Sequence, residues 1–220
     1  MLRLPFPLNE LLSVSSALEP ARARPGRNGH MTTIRHERLS DVDAREALLD
    51  EAFGEERTRK SSERLREGRL AAEGLAFTAT DERRVVGTAR LWNIACGNDK
   101  PMLLLGPVAV ASDRQGHGIG SDLVERAIRE ARRLGYAAIL LVGDAPYYGR
   151  FGFSAEKTGA LWMPGPFERH RLLGLELQPG ALDGARGRIA ANGRPQLKPD
   201  LALVVAQERR AHRTRRRRAA

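Results

Sequence analysis

The stretch RQGHGIGS, residues Arg114–Ser121, places glycines at the alternate positions 116, 118 and 120. An apolar, strand-like run, MLLLGPVAV, ends just before it, and the apolar residues of DLVERAIREARRLG, just after it, have helical spacing. Glycine lets the backbone bend and approach a ligand, and a helix N-terminus offers free N–H groups and partial positive charge. The stretch therefore predicts an anion-binding loop, although glycines alone would also suit a plain strand-to-helix turn.

Two common phosphate-binding loops fit this stretch poorly. The dinucleotide fingerprint G-x-G-x-x-G follows the first strand of its domain, whereas here the spacing is G-x-G-x-G and at least three predicted strands come earlier. Asp144 does end the next predicted strand, where a ribose-binding acid would lie. A Walker-type loop needs Gly-Lys-Ser/Thr, which does not follow these glycines. A nicotinamide-dependent enzyme is therefore the weaker interpretation.

The loop resembles the acetyl-CoA loop of the GNAT family of N-acetyltransferases, whose signature is Gln/Arg-x-x-Gly-x-Gly/Ala. Gln115–Gly120 matches it in full, and YYGRFGF, Tyr147–Phe153, resembles the family's Tyr-x-x-x-Gly-Phe motif. The resemblance covers about residues 31–180 and is strongest to the YhbS-like predicted acetyltransferases. It implies an α/β GNAT fold: a mixed, mostly antiparallel sheet of six to seven strands, with strands four and five parallel and splayed, flanked by about four helices.

The resemblance also implies roles for particular residues. Backbone N–H groups of the loop would hold the CoA pyrophosphate, and the splayed fourth strand would leave backbone groups for the pantetheine arm and the acetyl carbonyl. Tyr148 would be the general acid that protonates the departing thiolate, although either adjacent tyrosine would also suit the core. The implied cofactor-binding residues are Val108, Val110, Arg114, Gln115, Gly116, Gly118, Ile119, Gly120 and Ser121.

Other features of the site stay open at this point. Gly106-Pro107 interrupts an apolar run, which indicates either a bulge or a strand that begins at Val108. For the general base, the acidic and imidazole groups nearby match no fixed motif; they are Glu156, Asp144 and His170, and Asp144 better suits a helix cap. The substrate pocket is expected from the first two helices and a final hairpin, with Trp92, Asn93, Trp162 and Met163 as lining residues.

The positive charge is concentrated near one end of the chain. The formal net charge is +10, yet residues 194–220 carry nine Lys and Arg against two acids, which leaves the remainder nearly neutral. Nucleic acid is therefore expected to bind only through this basic stretch, which more often is a solubilising tail. The single cysteine, Cys96, excludes an internal disulfide and a multi-cysteine metal site, and suits a reducing cytoplasm.

The pattern along the chain predicts one domain with two appendages. We expect residues 1–30 to be a disordered extension, residues 31–180 to be the GNAT domain, and residues 181–220 to be a weakly structured basic tail. Within the domain, TRKSSERLREG predicts a second, polar helix, and the text around HRLLGLEL predicts a final hairpin. No apolar run is long enough to span a membrane.

Together these features predict a cytoplasmic, acetyl-CoA-dependent N-acetyltransferase. The acetyl group would pass to a primary amine, of a small molecule or a peptide, by direct attack in a ternary complex, with acetyl-CoA as co-substrate and no metal. Family members often pair, so we also expect a homodimer. Two alternatives are a non-catalytic GNAT module that senses acyl-CoA and a nucleic-acid-associated protein that acts through the Arg-rich tail.

Overall fold

The computed structural model describes residues 32–97 and 100–196. The N-terminal extension predicted at 1–30 and the Arg-rich end beyond 196 lie outside these residues. The elements are β1 (Thr32–His36), α1 (Val42–Phe53), β2 (Ala76–Asp81), β3 (Arg84–Ala95), β4 (Met102–Val110), α2 (Ile119–Arg133), β5 (Ala138–Val142), α3 (Ala145–Gly149), β6 (Leu161–Trp162), β7 (Leu172–Glu176), β8 (Gly187–Arg188) and β9 (Ala190–Ala191).

A seven-stranded mixed sheet organises these elements. Six strands follow the order β1-β2-β3-β4-β5-β7, and β9 pairs with the far end of β3. The β4–β5 pair is parallel, while the other neighbours in the sheet are antiparallel. A separate two-stranded parallel sheet joins β6 to β8. The predicted fold class, a mixed sheet with parallel fourth and fifth strands, is confirmed.

The helix after the glycine loop, α2, packs tightly on the sheet. Its apolar residues are buried in one stripe: Ile119, Leu123, Val124, Ala127, Ile128 and Ala131. A Cβ at Gly87 of β3 would lie 3.0 Å from Leu123 Cδ1, so the glycine allows this close approach. Just beyond α2, Gly135 adopts a left-handed φ of +81°, a conformation that commonly ends a helix. The glycine loop therefore sits at the start of a firmly held helix.

The central strands bury side chains on both faces of the sheet. On β4, Leu103 and Leu105 join the cluster that includes residues of α1 and α2, while Met102 and Leu104 join a second cluster on the other face. Cys96 belongs to the second cluster and is 0% exposed. Burial raises the pKa of its thiol to about 12.

The predicted second helix does not form. Residues Glu55–Arg59 and Glu63–Leu65 make short 3₁₀ turns, so the described residues contain three α-helices rather than about four. The segment TRKSSERLREG offers one apolar residue, Leu65, and its two serines compete with helical backbone hydrogen bonds. Without an apolar stripe to bury, the segment forms two short 3₁₀ turns instead of one helix.

The end of the domain also differs from the prediction. Within residues 100–196 no final hairpin forms, because β7 pairs with β5 and β6 pairs with β8. Residues 181–196, expected in a weak tail, bury Leu182 and Ile189 against the sheet and contribute β9. The folded core therefore includes residues beyond 180, because these apolar side chains cover one of its faces.

Candidate active site

The glycine loop is held open by backbone conformation. Gly116 and Gly118 have φ values of +77° and +85°, the left-handed region that side chains rarely adopt. Gly118 precedes the first helical residue of α2, Ile119, and no side chain caps this helix end. The first N–H groups of α2 are therefore available to an external acceptor.

A bulge in β4 separates that strand from β5. Opposite β3, Ala89 faces Val108 whereas Leu91 faces Leu105, so two residues of β4 stand against one of β3. The structure thus supports the bulge interpretation of Gly106-Pro107. Pairing of β4 with β5 ends at Leu104 opposite Leu140, and beyond that point the two strands splay as predicted.

The free edge of β4 presents backbone donors toward the opening. The Ala111 N–H donates to the Val86 carbonyl of β3 at 2.9 Å. Because N–H groups alternate in direction along a strand, those of Val110 and Val108 point away from β3, toward the gap beside β5. These are the two strand positions that the family resemblance selected.

The loop, the splayed edge and α3 enclose a cavity of about 520 Å³, which we call the loop groove. Its lining residues are Val108, Ala109, Val110, Arg114, Gln115, Gly116, Gly118, Ile119, Gly120, Ser121, Tyr147, Tyr148 and Arg150. All nine residues predicted to bind the cofactor are in this set, so the structure brings them together. His117 is outside it and lies exposed, with Nδ1 2.8 Å from the Gln115 carbonyl.

Two arginines of the loop groove differ in how they are held. Arg114 is paired with Asp81 at 2.9 Å and Asp113 at 3.1 Å, which offsets its charge. Arg150 donates from Nη2 to Ser121 Oγ at 2.7 Å and stacks over the Tyr147 ring at 4.1 Å, with no acidic partner among the described residues. Sequence reasoning missed Arg150, because the YYGRFGF pattern does not require a cation there.

Tyr148 is positioned at the boundary between two cavities. It lines the loop groove and also the second cavity described below. Its ring packs edge-on against Phe153 at 5.9 Å, and a Cβ at Gly143 would lie 2.7 Å from Tyr148 Cδ2, so Gly143 makes room for the ring. Burial, with a smaller contribution from Tyr147, raises the pKa of Tyr148 to about 12. Its phenol therefore stays protonated at neutral pH, and Oη makes no hydrogen bond among the described residues.

The second cavity, of about 110 Å³, lies on the other side of Tyr148, and we call it the arginine cavity. Its lining residues are Phe53, Arg57, Lys60, Ser62, Glu63, Arg66, Leu104, Leu105, Gly106, Pro107, Val108, Leu141, Val142 and Tyr148. Val108 and Tyr148 line both cavities, so the two open onto a shared wall. Most of the charged lining comes from the 3₁₀ turns and the segment between them.

The residues expected to line a substrate pocket lie elsewhere. Trp92 is 6% exposed and donates from Nε1 to the Gly106 carbonyl at 2.6 Å, so it supports the bulge from behind. Asn93 accepts a hydrogen bond from Tyr136, Met163 is buried, and Trp162 is half exposed. None of these four lines the loop groove or the arginine cavity.

The candidate bases are likewise outside both cavities. Asp144 caps α3 by accepting from the Tyr147 N–H at 3.2 Å, as its sequence position indicated. His170 and Glu156 are exposed. Glu63 is the acid that lines the arginine cavity; sequence reasoning missed it because a single Glu in a polar segment carries no motif. In residues 32–97 and 100–196 no cluster of His, Cys, Asp and Glu is arranged to hold a metal, and no helix is long and apolar enough to cross a membrane.

Comparison with known proteins identifies the class that this fold and groove define. The acetyltransferase (GNAT) family profile matches residues 42–153, from α1 through the glycine loop to the end of the YYGRFGF text. The chain belongs to the GNAT family of N-acetyltransferases.

Among individual relatives, the chain is similar to the uncharacterized N-acetyltransferase YhbS of Escherichia coli (strain K12). The two are 31% identical over 163 residues, covering 71% of this chain and 93% of YhbS. The crystal structure of Escherichia coli YhbS in complex with CoA matches with a TM-score of 0.64 and 27% identity, over 80% of this chain and 93% of that one. A GNAT family acetyltransferase from Brucella melitensis, in complex with acetyl-CoA, matches with a TM-score of 0.57 and 26% identity, over 74% and 97%.

Proposed function

We propose that this protein transfers the acetyl group of acetyl-CoA to a primary amine by direct attack in a ternary complex. The observation that carries the proposal is the meeting of the loop groove and the arginine cavity at one wall, formed by Val108 and Tyr148. With one substrate in each cavity, the reacting groups would come together beside Val108 and Tyr148, so the acetyl group could pass directly without a covalent enzyme intermediate. The solved structures of YhbS with CoA and of the Brucella melitensis protein with acetyl-CoA support the choice of cofactor.

The loop groove suits the anionic part of CoA. A helix start without a side-chain cap and the left-handed glycines offer backbone N–H groups to a pyrophosphate. Arg150 adds a cation that no acid of the described residues neutralises, held in the groove by Ser121 and Tyr147. Arg114 would contribute less, because two carboxylates already hold its guanidinium. The N–H groups of Val108 and Val110 would bind the extended pantetheine arm.

The shared wall supplies the groups for the chemical step. When bound, acetyl-CoA supplies an activated thioester. The N–H of Val108 or Val110 would stabilise negative charge that develops on the acetyl oxygen. The Tyr148 phenol, protonated because burial raises its pKa to about 12, would donate its proton to the departing sulfur.

The amine must lose a proton to complete the transfer. We propose that Glu63, which lines the arginine cavity, receives it directly or through water. Glu63 also pairs with Arg66 at 3.0 Å, which fixes the position of its carboxylate. The three candidates suggested by the sequence line neither cavity.

Calorimetric titration of the full chain with acetyl-CoA, followed by thiol release in the presence of an amine panel, tests the proposal. We expect binding of acetyl-CoA and thiol release that depends on an amine, with acetylated product confirmed by mass spectrometry. Failure to bind acetyl-CoA would refute both the cofactor and the reaction. Tight binding without transfer to any amine would favour the acyl-CoA-sensing alternative instead.

A further inference from the structure

The charged groups of the arginine cavity indicate what kind of amine it accepts. Three cationic side chains, Arg57, Lys60 and Arg66, line it together with a single carboxylate, that of Glu63. A cavity built for a cationic polyamine would show the opposite balance, since like charges repel. The partners of each cation decide how much positive charge remains for a ligand.

Arg57 is largely neutralised by helix α1. Its Nε donates to Asp50 at 2.7 Å and its Nη2 to Glu46 at 2.5 Å. These two ion pairs anchor the 3₁₀ turn Glu55–Arg59 on α1 and fix one wall of the cavity. Arg57 therefore serves mainly to hold the cavity's shape.

Arg66 is a buried cation with donor capacity to spare. Its side chain is 8% exposed and pairs with Glu63 at 3.0 Å. Its Nε and Nη2 donate to Ser62, Nη1 has no hydrogen-bond partner among the described residues, and the side chain lines the cavity. Burial and the nearby Arg57 and Arg90 guanidinium groups hold the pKa of Arg66 below its ordinary value, despite Glu63. A ligand anion beside Arg66 would stabilise the charged form of its guanidinium.

Lys60 completes the positive side of the cavity. Its Nζ lies 4.8 Å from the centroid of the Phe53 ring, and no acid pairs with it among residues 32–97 and 100–196. The ring contact holds the ammonium at the cavity without neutralising its charge. Lys60 and Arg66 therefore place two cationic side chains at a cavity that has one carboxylate, that of Glu63.

We propose that the acceptor is a small primary amine that also carries a carboxylate or phosphate group. Its anionic group would lie against Lys60 and Arg66, and its amine would lie toward Glu63 and the shared wall at Tyr148. The cavity volume of about 110 Å³ suits a molecule of a few heavy atoms rather than a bulky one. This inference rests on the proposed acetyl transfer, because it identifies the class of acceptor for that reaction.

Matched amine pairs test the inference on the full chain with saturating acetyl-CoA. The pairs are β-alanine with β-alaninamide and O-phosphoethanolamine with ethanolamine; 1,3-diaminopropane represents a cationic acceptor. We expect kcat/KM for the acid-bearing member to exceed that of its neutral partner by about tenfold or more. The carboxylate and phosphate arms show which of the two anionic groups is preferred.

Lys60→Met is the informative variant, because Lys60 is exposed and its loss leaves the core intact. We expect it to lower kcat/KM for the acid-bearing amine about tenfold and to lower that for the neutral partner much less, with the Kd of acetyl-CoA unchanged. Arg59→Met is the control: Arg59 lies one residue away, exposed and paired with Glu56, and does not line the cavity.

The outcomes separate this inference from the proposed function. Preference for the neutral or cationic amines, an equal effect of Lys60→Met on both members of a pair, or an equal effect of Arg59→Met would overturn it while acetyl transfer stands. Binding of acetyl-CoA with transfer only to peptide amines would also overturn it. Failure to bind acetyl-CoA at all would refute the proposed function, and this inference with it.

Discussion

The loop groove and the arginine cavity share one wall, yet different kinds of groups line them. The groove presents mainly backbone N–H groups, which glycine conformations and a helix start hold in place. The cavity presents side-chain charges from the Glu55–Arg59 and Glu63–Leu65 turns and the residues between and beyond them. Backbone donors recognise a fixed anionic group whatever the side chains are. A cavity of side-chain charges can instead be changed by single substitutions. Backbone substitutions should therefore mainly affect acetyl-CoA binding, whereas substitutions of charged side chains should mainly affect the choice of acceptor.

The largest effect should come from Tyr148→Phe, because Tyr148 belongs to both sites. Removing the phenol eliminates the proposed proton donor, so kcat should fall about 100-fold or more. The ring would keep its packing on Phe153, since the phenol oxygen makes no hydrogen bond among the described residues. The Kd of acetyl-CoA, measured by calorimetry, should not change.

Tyr147→Phe is the matched control for that variant. Tyr147 lines the loop groove alone and stacks under Arg150, so its phenol should matter little to kcat. If Tyr148→Phe weakens acetyl-CoA binding as much as it lowers kcat, or if both variants lower kcat equally, Tyr148 has a packing role and not a catalytic one.

A backbone substitution should damage the groove and spare the cavity. Gly118→Val forces a β-branched residue into a φ of +85°, which should cost about 1–3 kcal/mol and raise the Kd of acetyl-CoA about tenfold. The acceptor KM should stay the same. Gly135→Val imposes the same strain, at φ +81°, just beyond the other end of α2 and outside the groove.

These two glycines form a stringent pair, because a Cβ at either position meets no heavy atom within 4 Å. Both variants should lower the melting temperature by similar amounts, as followed by circular dichroism. Only Gly118→Val should weaken the binding of acetyl-CoA. An equal rise in Kd for the two would show that the groove responds to general stability rather than to its own backbone.

A smaller effect should come from the groove's one cation that lacks an acidic partner among the described residues. Arg150→Gln should raise the Kd of acetyl-CoA about threefold to tenfold, because Arg150 is exposed and partly screened. The difference from the unaltered protein should shrink as salt increases. Arg129→Gln removes an exposed cation from α2 outside the groove. An equal loss of affinity in this control would mean that overall charge, not Arg150, attracts the cofactor.

The smallest effect concerns pH: ionisation of Tyr148 should leave kcat unchanged over the ordinary pH range. Burial raises the pKa of Tyr148 to about 12, so the protonated acid persists as the pH rises through its ordinary value of 10.0. Stopped-flow measurement of kcat should show no falling limb from Tyr148 below about pH 10. A falling limb centred near pH 10 that disappears in Tyr148→Phe would show that its pKa is not raised.

The parts predictable from sequence are those encoded locally. The loop groove follows from eight consecutive residues, Arg114–Ser121, between a strand and a helix with clear periodicity. The place of Tyr148 in the candidate site is predicted by its spacing to Gly152 within one short motif. The splayed β4 depends on Pro107, which cannot donate to a ladder and so marks an irregular strand.

The missed parts depend on contacts between distant segments. Lys60 and Arg66 follow the 3₁₀ turn Glu55–Arg59, which the ion pairs of Arg57 with Glu46 and Asp50 tie to α1. Strands β8 and β9 have two residues each, too few for an alternating pattern to be seen. Arg150 joins the groove through stacking on Tyr147, which no spacing rule specifies.

The burial of Cys96 has a practical consequence for measuring ligand binding. The chain has one cysteine, and thiol reagents react with the thiolate, which burial suppresses in Cys96. A cysteine introduced on the surface, for example at Arg59, would therefore be the single reactive position in the native protein. One fluorescent dye could then report occupancy of the neighbouring cavity in real time, with no background labelling to remove first.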